Sequence, residues 1–421
     1  MSTELAILGG PKAVQAPAPP WPQGTEEIVE AVAGVLRGGS MSETWDRGQV
    51  LELEEQFKGY LGSRHAIAVA SGTAALDSTI FAAGVEPGDE VITTPLVPGY
   101  VVTPILHLNA IPVFVDVDPR TLCIAPEAIE PAITPGTRAI MVVHVNGHPA
   151  DMDPILEVAA RHDLVVIEDC AHSQGSSYRG RPTGTIGQLG AVSLQSIKNL
   201  PCGEGGMVVT DDDELYERAS LVGHHPVRLD QCLHMDRYRR YRQTGLGWNY
   251  RMHLLAAAIG LVQMRHFDAM MALRRRNAER ISEGLTDVAG VTGTWVMPGC
   301  VHTYYAQNLF YEAGELGGVP LGAFLEALRA EGVPAYGIGD PVHEYPLFQD
   351  KVFYGKGCPW SCPYAHAERD YQHLSFPNVE AAVNRTFILG VGGFVTEDTA
   401  FVEQIIEAFR KVTGQSSRIP V

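Results

Sequence analysis

The sequence predicts an α/β protein in which a large domain, built on a mainly parallel sheet, precedes a smaller α+β domain. Three observations carry this prediction: apolar runs of strand length, helical patterns between them, and a change to one long helical stretch from about residue 252. Apolar runs without alternation are typical of strands that helices cover on both faces. We therefore expect residues 1–265 to form the large domain and residues 266–421 the small one.

The strands of the large domain are predicted from seven short, mostly apolar segments. These segments are Ala66–Ala70, Glu90–Thr94, Pro112–Val117, Arg138–Val143, Leu164–Ile167, Gly190–Leu194 and Gly206–Thr210. Helical stretches lie between many of them, such as Pro154–Arg161, where Asp153 is placed to cap the helix and Pro154 suits its first turn. Strands that alternate with helices favour a parallel sheet.

The small domain is predicted to follow one long helix. The helical pattern runs without a strong breaker over Met252–Glu283, and a strand (Tyr304–Tyr311) and two helices (Leu321–Glu331 and Thr399–Lys411) come after it. The prolines between residues 17 and 22 indicate an N-terminal arm that belongs to the large domain and lies over its surface.

Composition and charge argue against several classes of protein. The formal net charge of −18 disfavours nucleic acid and anionic membranes as partners, because phosphate binding requires clustered Lys and Arg. The apolar runs are shorter than the roughly 18 residues of a membrane span, and the first residues do not read as a signal peptide. Seven cysteines, an odd number spread over a long chain, do not form the pattern of a disulfide framework. We expect a cytoplasmic protein.

The spacing of two cysteines and a histidine in the C-terminal part of the sequence suggests a zinc site. Cys358 and Cys362 are separated by three residues, and His366 follows them. A structural zinc ion takes four ligands, and no second pair completes the set. We interpret these residues as loop packing and expect no metal.

A candidate phosphate site lies at Ser71–Leu76, which follows a predicted strand and opens a predicted helix. Backbone N–H groups at a helix N-terminus, helped by a Thr hydroxyl, are suited to bind phosphate. The alternative is plain capping of the helix without any ligand, which is the commoner role of such a turn.

A second candidate is the acidic end of the strand in Val165–His172. Ligands bind at the carboxyl ends of strands in such sheets, and Asp169 lies at that end. A carboxylate there can pair with a protonated pyridine nitrogen and so keep a cofactor an electron sink. Capping of a following helix by Asp169 explains the residue equally well.

A candidate nucleophile is Lys198, which leaves a predicted strand and precedes the glycine-rich run Gly203–Gly206. In a partly desolvated pocket the pKa of a lysine falls, so that its free amine can form a Schiff base. The glycines let the backbone approach a cofactor closely. Taken alone, a lysine before such a turn is also typical of a solvated side chain.

A fourth segment, Gly247–Met252, leads into the long helix, where Asn249 also fits as a plain N-cap. The four segments, in this order and at these separations, resemble the DegT/DnrJ/StrS family of pyridoxal-phosphate-dependent sugar aminotransferases. The resemblance extends from Leu51–Phe57 to Ala256–Gln263. It implies the fold type I architecture of aspartate aminotransferase and pyridoxal 5′-phosphate as the cofactor.

The resemblance implies roles for individual residues of the four segments. Lys198 matches the lysine that forms the Schiff base, and Asp169 matches the partner of the pyridine nitrogen. Ala171 would pack beneath the cofactor ring, and His172 would lie near its phenolic oxygen. The phosphate contacts implied by the resemblance are Gly72, Thr73, Ser193 and, donated by the neighbouring subunit of a homodimer, Asn249.

One position departs from the family pattern. The family places an aromatic residue over the cofactor ring within a Thr-Phe or Thr-Trp pair, and here that pair falls on Pro98 and Gly99. Either Tyr100 covers the ring from a shifted turn, or the ring packs on aliphatic groups.

The substrates are also indicated by resemblance. The segment from Ser193 to Gly206 is similar to the branch of the family that acts on keto-cyclitols in aminoglycoside-type antibiotic biosynthesis. That branch uses L-glutamine or L-glutamate as the amino donor, and Arg251 is a candidate for binding the donor carboxylate. His343 matches a stretch near the acceptor pocket, although a histidine in a surface loop is an equally good interpretation.

Three alternatives stay open at this point. A nucleotide-linked keto sugar would replace the cyclitol as acceptor. A sugar dehydratase of the same fold would carry histidine in place of the Schiff-base lysine, so Lys198 argues against it. A cofactor-binding partner subunit without catalysis is disfavoured by the intact pair of Asp169 and Lys198.

Overall fold

The structure is a computed structural model that describes residues 4–42, 44, 48–366, 368–390 and 394–420. Its strands are β1 (His65–Val69), β2 (Glu90–Thr93), β3 (Ile111–Phe114), β4 (Thr137–Val143), β5 (Val165–Asp169), β6 (Ser177–Tyr178), β7 (Arg181–Pro182), β8 (Leu189–Ser193), β9 (Gly206–Thr210), β10 (Val291–Thr292), β11 (Cys300–Val301), β12 (Ala306–Tyr311), β13 (Ala335–Gly337) and β14 (Thr386–Gly390). Its helices are α1 (Glu26–Gly38), α2 (Gly48–Leu61), α3 (Gly72–Ala82), α4 (Gly99–His107), α5 (Pro126–Ile129), α6 (Met152–Arg161), α7 (Asp213–Ser220), α8 (Pro226–Cys232), α9 (Asp236–Arg239), α10 (Leu254–Gly284), α11 (Leu321–Ala330), α12 (Pro346–Gln349), α13 (Pro377–Arg385) and α14 (Ala400–Thr413).

The seven predicted strands form one sheet, whose order is β1–β9–β8–β5–β4–β2–β3. Neighbouring strands run parallel from β8 to β3, whereas β9 runs antiparallel to both β1 and β8. The predicted α/β fold with a mainly parallel sheet is therefore confirmed.

Both faces of the large sheet are covered. In β1, Ile67 and Val69 belong to one buried cluster while Ala66 and Ala68 belong to another, because successive side chains of a strand point to opposite faces. Helices α3, α4 and α6 contribute to the first cluster, and α2 and the start of α10 contribute to the second. All residues of β2, β8 and β9 are buried, as their continuous apolar runs predict.

The smaller sheet is antiparallel and has the order β10–β12–β14–β13. Its core includes Phe324, Phe387 and Phe409, and α11, α14 and the second half of α10 pack around it. The N-terminal arm reaches this small core through Leu5 and Val14, whereas buried residues between 342 and 382 join the large core. The division of the chain after residue 265 stays a prediction.

Two helix starts differ from their prediction. Helix α10 begins at Leu254, where the ring of His253 accepts a hydrogen bond from a backbone N–H at 3.2 Å, so Asn249 is not its N-cap. Helix α6 begins at Met152, and Asp153 pairs with Arg179 at 2.6 Å instead of capping the helix. In both places the residue that was predicted to cap the helix lies near the helix start but not at its N-cap position.

Helix α10 connects the two cores. Its first half packs on the large sheet, and its second half joins the small core. Although it has 31 residues, it carries charged side chains along its length. Among the residues that the structure describes, no helix combines the length and the apolar character that crossing a membrane requires.

The strand order brings the candidate site residues to one edge of the large sheet. Asp169 ends β5, Ser193 ends the neighbouring β8, and α3 begins at Gly72 against β8. The carboxyl ends of parallel strands are where ligands bind in open α/β sheets. The fold therefore assembles the first three candidate segments at a binding edge.

Candidate active site

Two adjoining cavities lie at this edge. The inner cavity has a volume of about 330 Å³, and its walls include the start of α3 and the end of β8. The outer cavity has a volume of about 320 Å³, and its walls include residues of β13 and β14. The residues common to both walls are Tyr100, Val101, Asp169, Ala171 and Lys198. A ligand that extends through both cavities therefore passes the predicted lysine and aspartate.

Lys198 lies in the wall that the cavities share. Its side chain is buried, with 6% of the residue exposed, so the interpretation as a solvated lysine is wrong. Burial lowers the pKa of Lys198 to about 8, although the carboxylate of Asp169 acts in the opposite direction. Its Nζ lies 4.6 Å from the centre of the Tyr305 ring. A large fraction of the amine is thus unprotonated near pH 8 and able to act as a nucleophile.

The loop that carries Lys198 is held by buried polar groups. Nδ2 of Asn199 donates hydrogen bonds to two backbone carbonyls of the turn after β5, at 3.1 and 3.3 Å. The buried guanidinium of Arg274, on α10, donates to Oδ1 of Asn199. From the N-terminal arm, Nε1 of Trp21 donates to the carbonyl of Ile197 at 3.3 Å. These contacts fix the backbone on both sides of Lys198.

Asp169 is the last residue of β5 and is 1% exposed. Its Oδ1 accepts a hydrogen bond from the N–H of Ala171 at 2.9 Å, and a turn follows, so the helix-capping interpretation is wrong. Its Oδ2 is buried and has no hydrogen-bond partner in the described part of the chain. Burial raises the pKa of the carboxyl, while the Ala171 N–H and the charge of Lys198 oppose this rise. The free oxygen is complementary to a cationic N–H donor of a ligand.

The outer cavity has a stacked pair of rings beside Lys198. The ring of His172 lies on that of Tyr305, with centres 4.0 Å apart and planes 9° from parallel. Burial, together with the charge of Lys198, lowers the pKa of His172 well below its ordinary value, so the imidazole is neutral at pH 7. Burial raises the pKa of Tyr305 to about 12, so its hydroxyl keeps its proton. The part of the cavity wall that these two rings form is therefore polar but uncharged.

The start of α3 contributes Ser71, Gly72 and Thr73 to the inner cavity. Oγ of Ser71 accepts a hydrogen bond from the N–H of Ala74 at 3.0 Å, which confirms capping at this turn. The N–H groups of Gly72 and Thr73 belong to the first helical turn, where the helix supplies no acceptor, so they are available to an anion. A Cβ on Gly72 would lie 2.6 Å from the Cβ of Ser193, so glycine permits this close approach of α3 to β8.

Tyr100 lies in the first turn of α4 and directly follows Pro98 and Gly99, where the sequence departs from the family pattern. It is 59% exposed and lines both cavities, and the buried Val101 beside it also lines both. Burial and the negative charge of Asp169 raise the pKa of Tyr100. An aromatic ring and an aliphatic group are therefore both present in the shared wall, and coverage of a cofactor ring by Tyr100 stays a prediction.

Three predicted site residues lie outside the walls of both cavities. Asn249 is exposed, and its Oδ1 accepts a hydrogen bond from the N–H of Arg251 at 3.4 Å. The backbone of Arg251 forms a bridge with Val69 at the end of β1. His343 is 6% exposed and its ring lies 5.1 Å from that of Phe376, so the interpretation as a surface-loop histidine is wrong. Ligand contacts of these residues stay predictions.

The outer cavity also contains polar residues that the sequence did not single out. These are Asn146, Tyr305, Asp340 and Tyr345. Nδ2 of Asn146 donates to Oδ1 of Asn308 at 2.7 Å, whereas the other three side chains border the cavity and form no side-chain hydrogen bond with the described residues. Tyr345, with Asp340 close before it, lies in the stretch around His343 that the resemblance placed near the acceptor pocket, whereas no local motif marks Asn146 or Tyr305. Tyr305, for example, falls in a predicted strand, where aromatic residues are ordinary.

A buried cluster of side chains of the kinds that bind metal ions lies close to the site. His144, Glu168 and Cys170 hold potential ligand atoms within 4.8 Å of one another. Both carboxylate oxygens of Glu168 are already used, because they accept three backbone N–H bonds (2.7, 2.7 and 2.9 Å) and one of them contacts Nε2 of His144 at 2.9 Å. Burial raises the pKa of the Cys170 thiol well above its ordinary value, which disfavours a thiolate ligand. We assign this group to structural hydrogen bonding.

Fold and site can be compared with those of known proteins. Residues 22–410 match the DegT/DnrJ/EryC1/StrS aminotransferase family. A protein of Streptoalloteichus tenebrarius, provisionally named L-glutamine:3-amino-2,3-dideoxy-scyllo-inosose aminotransferase, is 36% identical over 418 residues, which are 98% of each chain. Another protein of that organism, named L-glutamine:2-deoxy-scyllo-inosose aminotransferase, is 36% identical over 361 residues, which are 83% of this chain and 84% of that protein.

A solved structure that is similar to this chain also belongs to an aminotransferase. The aminotransferase from Psychrobacter cryohalolentis is similar with a TM-score of 0.81 and 28% identity, covering 96% of this chain and 100% of that one. The fold and the site thus define a fold type I transferase. Within that class, the chain belongs to the DegT/DnrJ/EryC1/StrS aminotransferase family, and the resemblance drawn from the four segments is confirmed.

Proposed function

We propose that this enzyme uses pyridoxal 5′-phosphate, held on Lys198, to move the amino group of L-glutamine or L-glutamate onto a keto-cyclitol in the biosynthesis of an aminocyclitol antibiotic. One observation carries the proposal: a buried amine and a buried carboxylate oxygen without a partner share the wall between two cavities. The names of the two relatives, both L-glutamine:keto-inosose aminotransferases, support the choice of donor and acceptor.

The residues of the inner cavity fit the parts of this cofactor. The first-turn N–H groups of α3 and the hydroxyl of Ser193 suit its phosphate. The free Oδ2 of Asp169 suits the N–H of a protonated pyridine ring, and the amine of Lys198 suits its aldehyde. Gly72 supports the fit, because a side chain there would fill the narrow space against Ser193.

The chemistry then follows from the positions of Lys198 and Asp169. When bound, the cofactor supplies an electron sink for the negative charge that develops at the substrate carbon. Asp169 holds the proton on the ring nitrogen by a buried ion pair. The free amine of Lys198 would remove the proton from the amino-bearing carbon of the donor and return it to the carbon on the other side of the donor nitrogen, and a pKa of about 8 suits both tasks. The 2-oxo acid leaves before the ketone enters, so we expect ping-pong kinetics.

We infer that a second copy of the chain completes the site. In the described walls of the two cavities, Lys198 is the single lysine or arginine, so the donor carboxylate meets no free cation of its own chain. The segment before α10 lies outside those walls, carries the exposed Tyr241 and Trp248, and includes Asn249. This segment is also rich in arginine, with Arg237, Arg239, Arg240, Arg242 and Arg251. A homodimer in which this segment reaches the partner's site would supply both a phosphate contact and a carboxylate clamp.

A transfer assay tests the proposed function. The purified protein is incubated with pyridoxal phosphate, L-glutamine labelled with ¹⁵N at the α-amino group, and 2-deoxy-scyllo-inosose. We expect ¹⁵N in the cyclitol product with the wild-type chain and none with Lys198→Ala, because the base and the cofactor link are then missing. Transfer to a nucleotide-linked 4-keto sugar in preference to the cyclitol would contradict the proposed acceptor, and no transfer to any ketone would contradict the proposed reaction.

A further inference from the structure

A buried arginine without a counter-charge supports the loop that carries Lys198. Arg274, on α10, is 1% exposed, and burial lowers the pKa of its guanidinium to about 10. Among the described residues no carboxylate pairs with it, and its Nε has no hydrogen-bond partner. A buried cation without an opposite charge destabilises a fold, and a well-packed apolar side chain would avoid that penalty. The contacts of Arg274 therefore point to a role beyond stability.

The guanidinium of Arg274 orients the side chain of Asn199. It donates to Oδ1 of this amide, and because arginine has no acceptor, the contact fixes which end of the amide faces it. Nδ2 is thereby directed to the carbonyls of His172 and Gln174, at 3.1 and 3.3 Å. Both carbonyls belong to the turn after β5. Through Asn199, Arg274 thus sets the position of the Lys198 loop relative to that turn.

The N-terminal arm supplies a ring that covers Arg274. The carbon at the centre of the guanidinium lies 4.6 Å from the centre of the Trp21 ring, within the range in which an aromatic face stabilises a cation. The same side chain donates through Nε1 to the carbonyl of Ile197, at 3.3 Å. Trp21 therefore contacts both the residue before Lys198 and the arginine that supports the loop.

The arm is also held by contacts that do not involve Trp21. The two carboxylate oxygens of the buried Glu331 accept hydrogen bonds from two backbone N–H groups of the arm, at 2.8 and 2.9 Å. Oε1 of Gln404 accepts two more, at 2.8 Å each. A substitution of Trp21 should therefore remove its own contacts without releasing the arm.

We propose that Arg274 is a positioning residue for Lys198 and that Trp21 of the N-terminal arm completes this support. Without either side chain the loop loosens, the amine of Lys198 loses its fixed direction, and water reaches it. The inference rests on the proposed function, in which Lys198 moves the proton. It gives the N-terminal arm, which lies outside the four segments of the site, a part in the reaction.

The pH dependence of acylation and the turnover together test the proposal. Acylation of Lys198 is measured on the cofactor-free protein, and kcat is measured on the holoenzyme in the transfer assay, for Trp21→Ala and Arg274→Met. Trp295→Ala is the matched control. Trp295 is also partly buried and also lies against a guanidinium, that of Arg120 at 4.2 Å, but it lines neither cavity of the site.

We expect the acylation midpoint of Lys198 to move from near pH 8 toward the ordinary lysine value of about 10.4 in Trp21→Ala and in Arg274→Met. Burial is what lowers this pKa, so access of water raises it. We expect kcat to fall about tenfold or more, the scale of a misplaced reacting group, and kcat/KM for glutamine to fall with it. Trp295→Ala should keep the midpoint and keep kcat within about twofold.

The charges around Lys198 do not explain the expected shift in Trp21→Ala. The titratable groups that interact with Lys198 are Asp169 and His172 by charge and Tyr305 by its ring, and none of them is changed. Loss of packing lowers the temperature of unfolding in Trp295→Ala as well as in Trp21→Ala, so a purely structural role would not move the midpoint in one variant alone.

The conservative change Trp21→Phe separates the ring from the hydrogen bond. Phenylalanine keeps an aromatic face for Arg274 but cannot donate to the carbonyl of Ile197. Because the proposal rests on the support of Arg274, we expect Trp21→Phe to keep the midpoint near pH 8 and kcat within about threefold of wild type.

Three results would overturn the proposal: an unchanged midpoint and kcat in Trp21→Ala or in a folded Arg274→Met, the same shift in Trp295→Ala, or a Trp21→Phe as impaired as Trp21→Ala. If Arg274→Met does not fold, the variants of Trp21 decide. Failure of the proposed function looks different. In that case the wild-type enzyme transfers no nitrogen to a ketone, while the acylation midpoints still report whether Trp21 and Arg274 hold Lys198.

Discussion

At the scale of single residues, the protonation of Lys198 decides whether the site can work. An amine with a positive charge is not a nucleophile, and a lysine in water has a pKa near 10.4. Burial removes water from this amine, and the adjacent carboxylate of Asp169 limits the effect, which leaves the pKa at about 8. The charge of each residue therefore shifts the pKa of the other, and a substitution of Asp169 should change the pKa of Lys198.

The pH dependence of acylation of the cofactor-free protein tests this balance. We expect the acylation rate of Lys198 to have its midpoint near pH 8. The neutral amine is the reactive form, so the rate falls as the pH drops below the pKa of Lys198. Asp169→Asn removes the charge that favours the ammonium form, so the midpoint should move to lower pH. Peptide mass mapping measures both, with the exposed Lys12 as internal reference. An unchanged midpoint in Asp169→Asn would show that the two groups do not interact.

The same variant tests the role of Asp169 in turnover. Asp169→Asn preserves the shape of the side chain but cannot hold a proton on the ring nitrogen. We expect turnover to fall at least about a hundredfold while the cofactor stays bound, on the scale of other lost electrostatic stabilisers. Steady-state kinetics give the turnover, and the absorbance of the bound cofactor confirms occupancy. Near-normal turnover at full occupancy is incompatible with the assignment.

At the scale of elements, the strands of the large sheet were predictable and the helix caps were less so. Each strand is a short apolar run between polar segments, and burial on both faces makes that signal continuous. Caps depend on how the preceding chain enters the helix, so a histidine, His253, takes the place that residue type favoured for Asn249. The segment Ser71–Leu76 was predictable because a strand, a small turn and a helix follow one another without interruption.

The contact between α3 and β8 gives a prediction at this scale. In Gly72→Ala, the new Cβ would lie 2.6 Å from the Cβ of Ser193, so the start of α3 must move away from β8. Because the first-turn N–H groups move with it, we expect cofactor affinity to fall about tenfold or more, the scale of an overpacked contact of 1–3 kcal/mol.

Gly59→Ala is the matched control for Gly72→Ala. Gly59 lies inside α2, and a Cβ there meets no atom within 4 Å. This change should leave cofactor affinity unaltered and raise helix stability by up to about 1 kcal/mol. Titration of the cofactor-free variants with pyridoxal phosphate measures the affinities, and thermal unfolding measures the stabilities. Equal affinities of the two variants would show that the close approach of α3 does not matter for binding.

At the scale of the whole molecule, the two cavities differ in how they are built. The inner cavity comes from segments that follow the strands of one sheet, and these carry the motifs that the sequence reveals. The outer cavity adds Gly337 and Ile388 of the second sheet and Tyr305, which directly precedes its strand β12, and the sequence neighbours of these residues give no sign of their role. The inner cavity was therefore predictable from sequence, whereas the outer cavity also required the packing of the two sheets against each other.

The proposed sharing of sites between two chains predicts complementation. Lys198→Ala and Asn249→Ala are each expected to be nearly inactive, because one removes the amine and the other a phosphate contact. After the two are unfolded and refolded together, a mixed dimer holds one site with both changes and one site with neither. Random pairing makes half of the dimers mixed, so activity should approach about a quarter of wild type.

The outcome of this mixing experiment is decided by which chain provides Asn249. If Lys198 and Asn249 served the same chain's site, each site in any dimer would carry one defect, and mixing would restore no activity. A pair of Lys198→Ala and Asp169→Asn is the control, because both residues line the cavities of one chain and should never complement each other. Activity in that control would mean that subunits or sites combine in another way.

Covalent mapping gives the most direct test of whether Lys198 carries pyridoxal phosphate. The holoenzyme is reduced with borohydride, digested and analysed by mass spectrometry, so that the cofactor stays attached to the lysine that held it. We predict one pyridoxyl group for each chain, on Lys198, and none at this position in Lys198→Ala. A pyridoxyl group on a different lysine of the active wild-type enzyme would show that Lys198 does not hold the cofactor.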